Sequence, residues 1–189
     1  SVRAKHPNVI FYGEGWSMDT EVTKPDVAMA TQYNAWQTPH FAYFSDTFRD
    51  LLRGCVFDDH SYGYVAGAWG QEEQVRKCFM GHPDWCPGPT QTVNYASCHD
   101  NMSLFDRLTV STPDASFADR VRMNNLAAAI YMLSQGVPFL QAGEELLRSK
   151  PLPTGGFEHN SYRSPDSVNS IKWSDLSNPA YAANADYYR

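Results

Sequence analysis

Three short apolar runs, separated by long stretches with helical patterning, constrain the fold of this chain most. They span residues 8–12, 92–96 and 137–142, and each is followed by glycine or a polar residue. Apolar runs of about four to eight residues bounded by turn signals are typical of buried strands. Because parallel strands need crossover connections of a dozen or more residues, the spacing predicts an α/β fold with a parallel sheet.

Apolar spacing and the placement of charges predict four helices around these strands. In the longest helix, Ser116 followed by Asp119 resembles a capping box, and Gly136 stands at the expected end. Gly54 occupies the left-handed position expected after an earlier helix. The predicted helices span 41–52, 72–77, 117–135 and the tail beyond 178.

Size and charge exclude several classes of protein. With 189 residues, the chain has room for one domain with a sizeable core. Its apolar content of 42% and charged content of 19% are typical of a globular chain.

The formal net charge of −6 argues against a nucleic-acid partner. No apolar run approaches the length of a membrane span, about 20 residues, so a membrane partner is not expected. No signal-peptide pattern is visible, and the opening residues resemble the interior of a domain, which leaves the cellular compartment open.

Neither the cysteines nor the histidines show the spacing of a metal site. The four cysteines include no CxxC pair, and the six histidines include no HExxH pattern. A chain of this length does not depend on disulfide bonds, so the cysteines are predicted to be free and mostly buried. The sequence also lacks a phosphate-binding glycine loop and a nucleophile elbow, and we predict no cofactor.

Glu14 directly follows the first apolar run and is flanked by two glycines and Trp16. A Gly-Glu-Gly sequence is common in surface turns, and that interpretation remains open. The alternative is a general acid, because a carboxyl group beside an apolar ring and other carboxylates can hold a proton near neutral pH. The glycines would let a ligand approach the backbone closely.

The sequence His99-Asp100-Asn101 follows the second apolar run. One interpretation is structural: Asp100 or Asn101 caps a helix that begins near Ser103. The other is functional: His99 donates hydrogen bonds to sugar hydroxyls, while Asp100 accepts them and stabilises positive charge in a transition state. Both interpretations hold together if Asn101 makes the cap.

Charged residues therefore follow all three predicted strands at the point where each strand ends. They are Glu14, His99 with Asp100, and Glu144 with Glu145. In (β/α)8 barrels this edge of the sheet holds the active site, but three strands cannot close a barrel of eight. The pattern leaves two alternatives, a small open α/β domain or the later part of a barrel.

Taken in order, three motifs resemble the later conserved regions of the α-amylase superfamily. They are Phe-Tyr-Gly-Glu-Gly-Trp at 11–16, Asn-Tyr-Ala-Ser-Cys-His-Asp-Asn at 94–101 and Gly-Val-Pro-Phe-Leu-Gln-Ala-Gly-Glu-Glu at 136–145. Further stretches at 44–54, 147–150 and 160–166 are similar to those of type I pullulanases. The resemblance covers residues 8–173, nearly the whole chain.

The resemblance implies a (β/α)8 barrel and a retaining glycosidase that cleaves α-1,6-glucosidic linkages in pullulan and branched α-glucans such as limit dextrins. It implies that Glu14 is the general acid/base and that Asp100 stabilises the transition state. The substrate-binding residues that it implies are His99, Trp16, Asn101, Asn160, Tyr162 and Asp166. The alternatives are an isoamylase- or branching-type member of the superfamily and a non-catalytic chain that binds α-glucan.

Two departures from the family pattern bear on activity. The family nucleophile is an Asp in a Gly-Phe-Arg-Phe-Asp segment, which this chain lacks. Cys98 stands where relatives commonly carry Glu or another polar residue. We therefore expect residues 1–189 to be the C-terminal portion of one catalytic barrel, roughly strands 5 to 8, without its N-terminal half. Such a chain is expected to be inactive by itself, and any calcium would belong to the full-length enzyme.

Overall fold

The computed structural model describes residues 2–18, 22 and 24–189 of the chain. Over these residues the fold is α/β, with a four-stranded parallel sheet whose strands neighbour one another in chain order. The strands are β1 Phe11–Gly13, β2 Phe41–Phe44, β3 Thr92–Asn94 and β4 Val137–Pro138. The α-helices are α1 Val2–Lys5, α2 Asp46–Arg53, α3 Glu72–Phe79, α4 Leu104–Ser111, α5 Phe117–Leu133, α6 Asp166–Asn169 and α7 Pro179–Tyr188. Short 3-10 helices span Gln32–Gln37, Tyr64–Ala66, Pro89–Gln91, Glu144–Leu146, Ser161–Arg163 and Trp173–Ser177.

Parallel pairing places the ends of all four strands along one edge of the sheet. Phe11 of β1 pairs with Phe41 of β2, and Val93 of β3 pairs with Val137 of β4. The predicted parallel sheet is therefore confirmed. Residues that follow each strand meet at the same edge, because all four strands run in one direction.

The predicted helix over 41–52 is wrong in its first part. Phe41–Phe44 forms β2, and α2 begins only after Ser45, whose Oγ accepts a hydrogen bond from the amide three residues on at 3.3 Å. β2 lies between β1 and β3, and its Ala42 and Tyr43 are both buried. A strand buried on both faces shows no alternation of polar and apolar residues, so its phenylalanines also fitted a helical spacing.

The first predicted strand is present but is not buried. Tyr12 in β1 is 57% exposed, and the preceding Ile10 is 60% exposed. Within the described chain β1 pairs only with β2, so its outer edge has no strand beside it. The apolar run identified a strand correctly, but at the edge of the sheet this strand is exposed.

The longest helix begins as predicted and ends earlier. Ser116 caps α5 by accepting a hydrogen bond from the Asp119 amide at 3.1 Å, and its hydroxyl donates to Asp119 Oδ2 at 2.6 Å. The helix ends at Leu133, so Gly136 is not its cap. Gly136 has φ of +121°, and a Cβ there would lie 2.8 Å from the Asn94 amide nitrogen. Glycine is needed at this position because the chain passes β3 closely as it enters β4.

The core lies where α2, α3, α4 and α5 meet. Its largest apolar members are Phe48, Leu52, Leu104, Leu108 and Tyr131, all of which are fully buried. The helices predicted at 72–77 and beyond 178 are confirmed as α3 and α7. None of the helices in the described residues is long and apolar enough to cross a membrane.

The four cysteines are free thiols, as predicted, but only half of them are buried. Cys78 and Cys86 are buried, Cys98 is half-buried and Cys55 is exposed. Burial raises the pKa of the Cys78 thiol to about 12, so it stays protonated and unreactive at neutral pH.

Candidate active site

A cleft of about 260 Å³ opens at the edge where the strands end. Glu14 follows β1, Asp46 follows β2, the segment 98–101 follows β3 and Phe139 follows β4, and all of them line this cleft. Every strand of the sheet therefore contributes to it. Its charged and polar lining includes Glu14, Asp46, Arg49, His99, Asp100 and Asn101.

The structure brings Glu14, His99 and Asp100 together. A carboxylate oxygen of each acid and a ring nitrogen of His99 all lie within 4.8 Å of one another. His99 Nε2 stands 3.4 Å from Asp100 Oδ1. All three side chains are exposed, so a polar ligand can reach them. Within the described ranges they are also the one group of three acidic or imidazole side chains close enough to share an ion. The same side chains can donate and accept hydrogen bonds, so they also suit sugar hydroxyls.

Backbone geometry shapes the segment that carries His99 and Asp100. Asn101 has a left-handed backbone with φ of +63°, and Asp100 forms an isolated antiparallel bridge with Asn160. The predicted helix cap at Asp100 or Asn101 is wrong, because Ser103 caps α4. Its Oγ accepts a hydrogen bond from the backbone amide of Asp106, in the first helical turn, at 3.3 Å. With the cap supplied by Ser103, both Asp100 and Asn101 line the cleft.

The other residues predicted to bind sugar differ in position. Trp16 is half-buried and lines the cleft. Asn160 reaches the site through its backbone bridge to Asp100. Tyr162 is 69% exposed, Asp166 is exposed at the start of α6, and neither side chain lines the cleft. Contact of Tyr162 and Asp166 with a sugar stays a prediction.

Arg49 and Tyr95 form a polar wall of the cleft and were not among the predicted site residues. Arg49 Nη1 donates to the Tyr95 hydroxyl at 3.0 Å, and its Nε donates to Asp50 at 2.6 Å. Burial opposes the charge of Arg49, but the hydrogen bond to Asp50 and nearby acidic groups raise its pKa. Arg49 is therefore a fixed positive charge in a cleft that also holds carboxylates. A correct boundary between β2 and α2 would have revealed it, because it lies in the first turn of that helix.

Aromatic rings form the floor of the cleft. The Phe44 ring centroid lies 5.1 Å from that of Tyr95 and 5.0 Å from that of Phe139, and both contacts are edge-on. Burial raises the pKa of the Tyr95 hydroxyl, which keeps it neutral. An apolar floor beneath a polar rim suits a sugar ring, whose faces are apolar and whose edge carries hydroxyls.

Glu144, one of the two acids that follow β4, lies outside the cleft and is buried. It accepts hydrogen bonds from Ser97 Oγ at 2.6 Å, from the Tyr131 hydroxyl at 2.7 Å and from the Tyr188 hydroxyl at 3.2 Å. Burial raises the pKa of Glu144, while these hydrogen bonds oppose the rise. Because Ser97 immediately precedes the segment 98–101, Glu144 supports that segment from behind.

Known pullulanases match this chain over most of its length, although no family model matches it. A pullulanase of Bacillus subtilis (strain 168) is 34% identical over 173 residues, which cover 88% of this chain and 23% of that protein. A pullulanase of Klebsiella pneumoniae is 30% identical over 220 residues, which cover 92% of this chain and 19% of that protein. The chain therefore spans about a quarter or less of these curated relatives.

Solved structures match over the same region. A pullulanase from Anoxybacillus sp. LM18-11, complexed with maltotetraose, is 36% identical with a TM-score of 0.84, covering 98% of this chain and 26% of that one. A pullulanase from Paenibacillus barengoltzii, complexed with maltohexaose and α-cyclodextrin, is 36% identical with a TM-score of 0.87, covering 99% and 29%. Sequence and fold thus agree with those proteins over nearly all of this chain.

Proposed function

Because this chain belongs to the pullulanase family over nearly its whole length, we propose that it forms the acid/base side of the active site of a glycoside hydrolase that cleaves α-glucans. The proposal rests on the convergence of Glu14, His99 and Asp100 within 4.8 Å at the mouth of the cleft. A carboxyl group that can donate a proton to the glycosidic oxygen is one of the two carboxyl groups that cleavage of a glycosidic bond requires, and the neighbouring carboxylate and imidazole can bind sugar hydroxyls.

The sheet supports part of a (β/α)8 barrel as the architecture. Its four parallel strands follow one another in chain order, and the candidate catalytic residues follow the strand ends, where barrel enzymes carry their active sites. Eight strands are needed to close such a barrel. We therefore assign residues 1–189 to roughly strands 5 to 8 of one catalytic domain, with the other strands supplied by a further segment.

In this proposal Glu14 acts twice. Protonated Glu14 first donates its proton to the glycosidic oxygen while a nucleophilic carboxylate attacks the anomeric carbon, so the C–O bond breaks and a glycosyl ester forms. Ionised Glu14 then takes a proton from water, whose oxygen attacks the anomeric carbon and releases the nucleophile. His99 and Asp100 bind hydroxyls of the sugar as it flattens, and Trp16 stacks on a glucose ring.

The nucleophile is not assigned to this chain. Retaining glycosidases hold two carboxyl groups about 5–5.5 Å apart. Asp100 is comparably close to Glu14, but its motif resembles the stabilising Asp of the family rather than the nucleophile. The family segment that carries the nucleophile is absent from the sequence. We therefore propose that the 189 residues bind α-glucan without cleaving it.

The proposed substrates are pullulan and branched α-glucans with α-1,6 linkages. Two of the solved relatives hold maltotetraose or maltohexaose, and all the relatives named above are pullulanases. The Asn-Ser-Tyr sequence at 160–162, beside the Asp100 bridge, favours a pullulanase over an isoamylase. Release of maltotriose from pullulan would support this choice, whereas cleavage of branched glucan without attack on pullulan would indicate isoamylase-type activity.

Activity is tested in a protein that joins this chain to a barrel segment of the family carrying the nucleophile strand. Glu14→Gln removes the proton donor at constant size and should lower kcat on pullulan by at least about 100-fold, the lower end of general acid catalysis. The matched control is Glu72→Gln, an exposed position in the first turn of α3, which should leave kcat unchanged. A loss of less than about tenfold in Glu14→Gln would show that Glu14 is not the acid.

A further inference from the structure

Gln32, at the start of the 3-10 helix Gln32–Gln37, connects three parts of the site. Its backbone amide donates to the carbonyl oxygen of Gly15 at 3.0 Å. Its side-chain Nε2 donates to the Phe44 carbonyl oxygen at 2.7 Å and to Asp46 Oδ1 at 3.0 Å. One residue therefore ties the segment that carries Glu14 to the end of β2 and the start of α2.

The 3-10 helix that carries Gln32 is itself anchored. Asn34 accepts a hydrogen bond from the Thr31 amide at 2.8 Å and donates to the Met29 carbonyl oxygen at 2.8 Å. At the other end, Gln91 Nε2 donates to the carbonyl oxygen of buried Ala35 at 2.8 Å. Gln91 directly precedes β3. The hydrogen bond from Gln91 therefore fixes the 3-10 helix, and Gln32 with it, relative to the sheet.

Gly15 is enclosed from a second side by Tyr43 of β2. Gly15 has φ of +75°, and a Cβ there would lie 2.5 Å from Tyr43 Cδ1. Tyr43 is buried, and its hydroxyl lies 2.7 Å from Thr38 Oγ1, just beyond the same 3-10 helix. Gly15 is therefore restrained both by the Tyr43 ring and by the hydrogen bond from the Gln32 amide.

We propose that Gln32 is a positioning residue for Glu14, an inference that rests on the proposed function of that carboxyl group. β1 is three residues long and pairs with one strand within the described chain, so strand pairing restrains the start of this segment only weakly. A general acid must stay within hydrogen-bond reach of the leaving oxygen, and a misplacement of about 1 Å can cost about 100-fold in rate. Gln32 supplies the restraint immediately after Glu14.

The first test needs no ligand and measures hydrogen exchange of the amide at position 32 in the 189-residue chain. Gln32→Met keeps the length of the side chain but removes both side-chain hydrogen bonds. Exchange at position 32 should become at least about tenfold faster as the contact with Gly15 loosens. Gln37→Met, at the exposed far end of the same 3-10 helix, should leave that exchange unchanged. Unchanged exchange in Gln32→Met would overturn the inference.

The second test measures the affinity of the chain for maltotriose by calorimetry. Gln32→Met should weaken binding by about threefold or more, as expected for lost hydrogen bonds that order a binding group. In a Glu14→Ala background the same substitution should have no effect, because the group that Gln32 positions is gone. An equal loss in both backgrounds would show a merely structural role and reject the positioning of Glu14.

The two tests separate this inference from the proposed function. If the unaltered chain does not bind maltotriose, the proposed function fails. Exchange at position 32 still decides in that case whether Gln32 holds the segment around Gly15. If exchange changes and the maltotriose effect depends on Glu14, both the inference and the proposed function are supported.

Discussion

Glu144 is a buried carboxyl group whose protonation links the stability of the fold to pH. Burial raises its pKa in the folded chain, although hydrogen bonds from Ser97 and Tyr131 oppose the rise. In the unfolded chain a Glu titrates near pH 4.3, about its ordinary value. Between that value and the raised pKa the folded state binds more protons, so the free energy of unfolding falls as pH rises.

Glu144→Gln should remove this part of the pH dependence. The amide keeps an oxygen that can accept from the tyrosine hydroxyls, so the variant is expected to fold. The free energy of unfolding is measured by urea unfolding at several pH values above about 4.3. It should fall less steeply with pH in the variant than in the unaltered chain, and the two slopes should differ by at most about 1.4 kcal/mol per pH unit. Asp106, whose pKa burial also raises, is unchanged in both proteins and cancels from the comparison. Equal slopes would show that Glu144 does not bind a proton on folding.

At the scale of elements, Arg107 of α4 stabilises the loop 55–61 by hydrogen bonds. Phe57, which belongs to this loop, lines the cleft. Its Nη2 donates to the carbonyl oxygens of Cys55 at 3.1 Å, Asp58 at 2.6 Å and Ser61 at 3.0 Å. Each hydrogen bond to a charged group is worth about 1.5–3 kcal/mol. One buried guanidinium therefore holds this loop together with the loop's own backbone hydrogen bonds, from the Asp58 amide to the Cys55 carbonyl oxygen and from the Ser61 amide to the Asp58 carbonyl oxygen.

Arg107→Met should lower the free energy of unfolding by at least about 3 kcal/mol, because the charge-assisted hydrogen bonds of the guanidinium to three carbonyl groups are lost. Urea unfolding measures the loss. The matched control is Arg122→Met on α5, whose guanidinium is exposed and pairs with Asp119 at the surface, and it should cost less than about 1 kcal/mol. Similar losses in the two variants would contradict the role of Arg107.

Features that follow from strand direction could be predicted from the sequence, whereas features that depend on a short strand or on long-range contacts could not. The meeting of Glu14 with Asp100 followed from strand direction, since the ends of parallel strands share an edge. β2 was missed because its four residues are all apolar or aromatic and show no alternation, and Arg49 was missed with it. The role of Gln32 was not predictable, because it depends on contacts between an irregular segment and a distant strand.

At the scale of the whole molecule, the sheet has two outer strands, β1 and β4, in the described chain. Apolar side chains near them are exposed, among them Ile10 at 60%, Tyr12 at 57% and Leu133 at 72%. Unpaired strand edges with exposed apolar residues are templates for association with another chain. The 189 residues are therefore expected to self-associate.

Sedimentation velocity over a range of concentrations tests this expectation. The unaltered chain should form dimers or larger species, and Tyr12→Lys in the edge strand should shift the distribution toward monomer. Tyr187→Lys alters a tyrosine of similar exposure on α7 and should leave association unchanged. A monomeric chain that unfolds cooperatively would argue against an incomplete barrel.

The role of Glu14 as a proton donor is tested most directly by changing how much help the leaving group needs. In the chain joined to a nucleophile-bearing segment, Glu14→Ala should lower kcat/KM on pullulan by at least about 100-fold. On α-maltotriosyl fluoride, whose leaving group departs without a proton, formation of the glycosyl-enzyme should proceed within about tenfold of the unaltered protein. Equal losses on both substrates would contradict the assignment and place Glu14 outside the chemistry of bond cleavage.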